Sequence, residues 1–315
     1  MKAIITGATS GLGRNLVNYL KNYNYEIIAL GRNEKVLNTL DVKTKKVDLS
    51  ILNETIKSFE EADVVFHCAA LSSPWGTYKD FYNSNVIATE NVIEMMNLYN
   101  IPKIVHVSTP SIYFNFKDQL NIKETYENKT FVNYYAKTKY EAEQIVLNSN
   151  VHSTIIRPRG IFGEYDQSLI PRLEKVSKKG FLPMTDKNPI VDISYVGNVV
   201  HSLYLASIKD IQSKEIFNIT NDEPQSLEEI YNTIVDVLKW NVKIKKISST
   251  KLYFLASVLE SISKFTRNEP MLTKYGVGLI STSQTLNIQK AKSLLNYKPI
   301  YTIKEGFENY VKWKN

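Results

Sequence analysis

The chain has 315 residues and a formal charge of +7, a length that allows a full-sized core in one large unit or two closely joined lobes. Its single cysteine excludes an internal disulfide, and one Cys with four His leaves no zinc-finger spacing. The charge comes from 33 lysines and six arginines spread along the sequence, the pattern of a solvated surface rather than of a nucleic-acid stripe, with a general attraction for phosphorylated or acidic ligands as the smaller alternative.

Lys2 to Thr6 reads as a first strand that runs into a glycine-rich turn, and Leu12 to Leu20 has helical spacing. Further strands are predicted at Tyr25–Leu30, Thr44–Val47, Asp63–His67, Ile104–Val107 and Ser153–Arg157. Helical patterns separate them, notably Phe81–Tyr99 and Tyr134–Leu147. Six strands alternating with helices imply a parallel sheet covered on both faces, an α/β doubly wound Rossmann fold with its ligands at the carboxyl ends of the strands. After Arg157 the pattern loosens, with Pro158, Gly160, Gly163, Pro171, Gly180, Pro183 and Pro189 punctuating it. A helix near Ser168–Ser177, strands at Ile190–Ile193 and Glu215–Ile219, a helix from about Tyr195, and a mainly helical stretch from Ser226 to Asn315 complete the reading. The expected division is a dinucleotide-binding domain over residues 1–165, rejoined by 190–220, and a smaller, mostly helical substrate lobe over 166–189 and 221–315. No run reaches the ~20 apolar residues of a membrane span, and no signal-peptide core follows Met1-Lys2, so cytoplasm is the expected location.

The turn Thr6-Gly7-Ala8-Thr9-Ser10-Gly11-Leu12-Gly13 joins the first strand to the first helix, the context in which a glycine pattern binds a dinucleotide. Gly7 serves the tight turn, Gly11 the approach to pyrophosphate and Gly13 the helix packing, while Thr9, Ser10 and Leu12 offer amides at a helix N-terminus. The second strand ends in Leu30-Gly31-Arg32-Asn33, without the acid that binds the ribose hydroxyl in NAD enzymes. Arg32 can instead pair with a 2′-phosphate, with Arg14 as a second cation, so NADP(H) is favoured over NAD(H); an ordinary surface arginine is the alternative. Asp48-Leu49 is placed to meet the adenine edge, and Cys68-Ala69-Ala70 supplies small residues where backbone runs close to the cofactor. Cys68 itself reads as packing, since no base is indicated nearby.

A Tyr-x-x-x-Lys pair on a helix puts a phenol and an ammonium on one face, where the cation favours the phenolate and allows proton exchange with a substrate oxygen. Four such pairs occur, at Tyr99/Lys103, Tyr113/Lys117, Tyr135/Lys139 and Tyr310/Lys314. Pro102 disrupts the first, the second sits in a loop and the last lies at the end of the chain. Tyr135/Lys139 opens a well-patterned helix between the fifth and sixth strands. The end of the fifth strand, Val107-Ser108-Thr109-Pro110-Ser111, supplies hydroxyls to hold the reacting oxygen beside Tyr135.

Together these residues resemble the extended short-chain dehydrogenase/reductase family over essentially the whole chain. Ser108-Thr109-Pro110-Ser111-Ile112-Tyr113 is similar to its Ser-Ser/Thr-x-x-Val-Tyr-Gly segment, which implies Thr109 as the catalytic hydroxyl, with Ser108 beside it and Ser111 a less favoured substitute. Asn85-Val86 is similar to the family's Asn-Val-x-Gly-Thr helix and implies Asn85 near the cofactor. Arg157-Pro158-Arg159-Gly160-Ile161-Phe162-Gly163 looks like the family's Arg-Pro segment, whose Pro158, Gly160 and Ile161 would pass the nicotinamide, and Val107 is also expected at the cofactor. Tyr195-Val196-Gly197-Asn198 is similar to its Tyr-Val-x-Asn motif. Two positions depart from the pattern: Ser10 stands where extended members usually have glycine, and Phe114 replaces the glycine after Val-Tyr.

The resemblance is closest to the 3β-hydroxysteroid dehydrogenase-like branch, through residues 157–163, 269–277, 291–299 and 305–306. It implies hydride transfer between NADP(H) and a small-molecule secondary alcohol or ketone, apolar and sterol-like or 3-keto, with no metal. Tyr135, Lys139 and Thr109 form the proton relay. The alternatives are a redox-neutral nucleotide-sugar epimerase or dehydratase and a non-catalytic nucleotide-binding protein. The segment Lys251–Leu259 reads as core, as a lid over an apolar substrate, or as a contact with a membrane surface. A homodimer through the helices at 81–99 and 134–147 is expected by family resemblance.

Overall fold

The fold is described from a computed structural model that covers residues 1–266 and 268–315. Seven parallel strands form the central sheet: β1 Lys2–Thr6, β2 Glu26–Gly31, β3 Lys43–Lys46, β4 Val64–His67, β5 Lys103–Val107, β6 His152–Pro158 and β7 Glu215–Ile219, in the order β3-β2-β1-β4-β5-β6-β7. Strand order reverses between β1 and β4, where Thr6 pairs with His67, so the ligand crevice opens at the carboxyl ends of these two strands.

Every residue of β4 is buried, as a parallel strand covered on both faces requires. One face packs on Leu16, Val17 and Leu20 of the Gly11–Lys21 helix and on Val199 and Leu203 of the Val196–Ile208 helix. The other face packs on Val92, Met95 and Met96 of the Ala88–Leu98 helix and on Val146 of the Tyr134–Asn148 helix. A third cluster gathers Ile170, Leu182, Ile230 and Phe307 with Phe162.

Three expectations change. The Phe81–Tyr99 helix is not uniform: Tyr78–Phe81 is α-helical, Tyr82–Ile87 is a π-helix and Ala88–Leu98 returns to α. A π-helical turn inside an α-helix re-aims the side chains that follow, and Asn85 lies in it. The stretch after Ser226 is not all helix, because Lys243–Ile247 pairs with Phe181–Thr185, and Gln284–Leu286 pairs with Gln119–Ile122 and with Val191. The strand foreseen at Ile190–Ile193 is only Ile190–Val191, which leaves Asp192 and Ile193 in the loop that leads to the site.

The segment Lys251–Leu259 lies in the helix Ser249–Thr266. Leu252 and Ala256 pack on Val277, whereas Phe254, Leu255 and Val258 face outward, Phe254 being 73% exposed. Among the described residues, no helix is long and apolar enough to cross a membrane.

Candidate active site

The nucleotide turn is tight because its neighbours leave no room for side chains. Gly7 has φ +67°, and a Cβ there would stand 2.8 Å from the backbone of Ala69 at the end of β4. A Cβ on Gly13 would stand 2.3 Å from the Gly7 carbonyl oxygen. Ser10, at the position where glycine is usual, caps the helix that begins at Gly11, accepting from the Gly13 amide and donating to the Gly7 carbonyl at 2.7 Å. A serine at this position does the work of an N-cap without closing the turn. An open groove of about 590 Å³ lies alongside, lined by Gly7, Thr9, Ser10, Leu30, Gly31, Arg32, Val47, Asp48, Leu49, Ala69, Ala70, Ser84 and Ala88. Its glycine floor next to a helix N-terminus fits a dinucleotide.

At the far rim Arg32 and Asp48 face each other, with Nη1 to Oδ2 at 3.8 Å. No acid ends β2, where Arg32 follows Gly31 and Asn33 caps the short helix Glu34–Leu37. Arg14 is not brought to this groove: its guanidinium lies 4.0 Å from the Tyr165 ring centre and donates to Thr39 Oγ1 at 3.2 Å.

The helix Tyr134–Asn148 starts at the Asn133 cap and carries Tyr135 and Lys139 one turn apart. Lys139 is buried, and its Nζ donates to the Val107 carbonyl at 2.6 Å, tying the helix to the end of β5. Burial pushes the Lys139 ammonium down to about 8, opposed by the Glu143 carboxylate. The Tyr135 phenol is pushed up to about 12 by burial, opposed by a hydrogen bond with the Thr109 hydroxyl. Thr109 Oγ1 in turn donates to Ser111 Oγ at 3.0 Å, and Ser111 Oγ shares a 2.8 Å hydrogen bond with the Tyr275 phenol. A chain of three hydroxyls therefore links Thr109 at the end of β5 to Tyr275 in the helix Lys274–Leu279. Ser108 stands apart from it, its buried Oγ having no partner.

The model of the NAD dependent epimerase/dehydratase family matches residues 3–220, which span the glycine turn, the Tyr135 helix and the Arg157-Pro158 segment. The chain belongs to this family. Its members are extended short-chain dehydrogenases/reductases, and the protein is an NAD(P)-dependent oxidoreductase of that type. It is 33% identical to the uncharacterized protein YbjS of Escherichia coli over 99% of this chain and 97% of that one. It is 28% identical to a 2-alkyl-3-oxoalkanoate reductase of Stenotrophomonas maltophilia over 97% of each chain. It is 30% identical to a mouse (Mus musculus) sterol-4-alpha-carboxylate 3-dehydrogenase, decarboxylating, over 98% of this chain and 90% of the relative. The solved structure of MoeE5 with UDP-glucuronic acid and NAD superposes with a TM-score of 0.80, covering 100% of this chain and 99% of that one, at 19% identity, a likeness of fold.

In this epimerase/dehydratase-family chain several motif residues act through others. Asn85 spends its side-chain amide inside the protein, accepting from the Leu71 amide at 2.7 Å and donating to the Leu71 carbonyl and to Thr138 Oγ1. It thereby braces the loop after β4 against the Tyr135 helix. Arg157 Nε donates to Glu143 Oε2 at 3.0 Å, and the pair is buried and two-pronged, fixing β6 to the same helix one turn beyond Lys139. Tyr113 donates to Asn218 Oδ1 at 3.0 Å and contacts Arg157, so its pairing with Lys117 is a coincidence of spacing. Burial pushes the Cys68 thiol up to about 12, which keeps it protonated. Pro158 pairs with Ile219, Gly160 accepts from the Ser194 amide, and Ile161 pairs with Ser194, so this segment is held to β7 and to the strand Ser194–Tyr195. Leu12 packs its side chain into the core. The sequence reading did not single out Tyr275, Arg159 and Ser84 as site residues. Tyr275 lies 164 residues beyond Ser111, and only the chain's path joins them.

Proposed function

We propose that this protein interconverts a ketone and a secondary alcohol by net hydride transfer with NADP(H), on an apolar substrate oxygenated at a 3-position. The observation that carries the reading is the pairing of Tyr135 with Lys139 one turn along the same helix, with Lys139 Nζ donating to the Val107 carbonyl at the carboxyl end of β5, two residues before Thr109. When bound, the nicotinamide supplies or accepts the hydride. In the reducing direction Tyr135 Oη gives its proton to the ketone oxygen, and the Thr109 hydroxyl donates a hydrogen bond to that same oxygen. The buried Lys139 ammonium then stabilises the phenolate left on Tyr135. Gly7, Ser10, Gly11, Leu12 and Gly13 hold the phosphates through backbone amides, and the Arg32 guanidinium takes the 2′-phosphate at the rim that lacks an acid.

The names of two relatives, a 2-alkyl-3-oxoalkanoate reductase and a sterol-4-alpha-carboxylate 3-dehydrogenase, support oxygen chemistry at a 3-position. The test is to follow NADPH and NADH absorbance with 3-oxo esters, 3-ketosteroids, simple long-chain ketones and nucleotide sugars. Consumption of NADPH in preference to NADH, with an apolar ketone, is expected. Interconversion of a nucleotide sugar without net consumption would overturn the reading.

A further inference from the structure

The proposed reaction asks Thr109 to give a hydrogen bond to the substrate oxygen, yet its proton is already engaged. Thr109 caps the 3-10 turn Pro110–Tyr113, where its Oγ1 accepts from the Ser111 amide at 3.1 Å and donates to Ser111 Oγ at 3.0 Å. Both bonds close on one neighbour, so the turn itself holds the proton. Ser111 Oγ has one further partner among the described residues, the Tyr275 phenol at 2.8 Å.

Packing explains how a residue from so far along the chain arrives there. The helix Lys274–Leu279 starts at Thr273, whose Oγ1 accepts from the Gly276 amide at 2.9 Å. Tyr275 sets its ring edge-on to Phe114, with ring centres 5.5 Å apart and planes at 90°. Three residues on, a Cβ at Gly278 would stand 2.9 Å from the same Phe114 ring, so a bare backbone is what lets the helix lie this close. Phe114 is buried, and it is the residue that replaces a glycine in the resembled segment. The departure thus gives the helix that carries Tyr275 a surface to dock on.

Counting protons shows what the phenol can do. A phenol is a stronger acid than an aliphatic alcohol and so the better donor of the Tyr275–Ser111 pair. If it donates, Ser111 is supplied from outside the turn and can turn its own proton to Thr109 Oγ1. Thr109 then accepts from the amide and the hydroxyl of Ser111, and its own proton is released. Each of the three hydroxyls donates once, in the order Tyr275 to Ser111 to Thr109 to substrate oxygen, and bonds in such a row strengthen one another.

We infer that Tyr275 is a positioning residue for the reaction: its phenol donates to Ser111 and so aims the Thr109 proton at the substrate oxygen. The inference rests on the reductase reading for the identity of that oxygen. Without the phenol, Ser111 keeps the Thr109 proton for itself.

The test measures NADPH-dependent reduction of the best ketone among the 3-oxo esters and 3-ketosteroids, in the natural protein, Tyr275→Phe and Tyr275→Phe/Ser111→Ala. Phenylalanine keeps the ring on Phe114, so the single variant isolates the hydroxyl. It is expected to lower kcat about tenfold, the scale of one hydrogen bond, with KM and NADPH binding unchanged. Adding Ser111→Ala removes the competitor for the Thr109 proton and is expected to recover most of that loss, a rescue that lost packing does not produce. An unchanged kcat in Tyr275→Phe, or a double variant no faster than the single one, would overturn the inference. If the natural protein reduces no ketone, the reductase reading fails, and infrared difference spectra between the natural protein and Tyr275→Phe decide the direction of the bond alone. A C–O stretch at the frequency of a donating phenol supports the inference, and one at the frequency of an accepting phenol refutes it.

Discussion

The two halves of the cleft are built from different materials. The nucleotide half is backbone: Gly7 against Ala69, Gly13 against the Gly7 carbonyl, and the first-turn amides of a helix capped by Ser10. The half proposed for the substrate is side chain: Thr109, Ser111 and Tyr275 linked hydroxyl to hydroxyl. Backbone recognition depends on shape that every member of such a fold can reproduce, whereas a chain of side chains can be rewritten one residue at a time. Tyr135 and Lys139 stand at the seam, on a helix held from behind by Asn85 through Thr138 and by Arg157 through Glu143.

The seam is the place to break this comparison hardest. Tyr135→Phe is expected to lower kcat for ketone reduction by about 1,000-fold, within the range of a lost general acid, while fluorescence titration still detects NADPH binding. Loss of both together would mean that the halves are not separable.

Next in size is the support behind the seam. Glu143→Gln leaves Arg157 buried without its counter-charge, and urea denaturation should show a stability loss of about 3–5 kcal/mol. An unchanged midpoint would remove the clamp from the account.

A third test uses pH. With burial holding Lys139 at about 8 against an ordinary 10.5, both folded and unfolded chains carry the proton below about 8, and the cost of burying the charge is fully present there. From about 8 to 10.5 the unfolded chain binds more protons, so this residue makes the fold more stable as pH rises. Activity runs the other way, because the cation is the working form, and kcat/KM for reduction should fall above about pH 8. Lys139→Arg should abolish that limb in the pH profile.

The smallest effect belongs to the nucleotide rim. Arg32 is largely exposed and shares its charge with Asp48, so Arg32→Ala should weaken NADPH binding by about tenfold and NADH binding far less. Equal losses for the two nucleotides would deny Arg32 its selectivity.

The sheet was legible because each parallel strand is an apolar run bounded by its own turn: Lys2–Thr6 and Glu215–Ile219 have the limits read from the residues alone. The lobe was not. Lys243–Ile247 reads Lys-Ile-Lys-Lys-Ile, an edge strand whose lysines hide its character, and its partner Phe181–Thr185 carries a proline. Gln284–Leu286 is three residues long, and only its pairing with Gln119–Ile122 and with Val191 makes it a strand. The site divides in the same way. Tyr135 and Lys139 share a helix and so a spacing, whereas Tyr275 and Ser111 meet only through tertiary structure. Arg14 shows the converse, since its place in the glycine turn suggested the nucleotide but Tyr165 supplies a ring for it to stack on. Asn85 is another case, because the π-helical turn that aims it into the Leu71 loop has no local signature.

The central claim is net hydride transfer to a substrate carbon, and isotope transfer tests it most directly. NADPH deuterated at both C4 positions would be incubated with the protein and a 3-oxo substrate, and the products analysed by mass spectrometry. The account predicts one deuterium on the new carbinol carbon for each NADP⁺ formed. Deuterium that stays on the nucleotide while substrate is converted would contradict it.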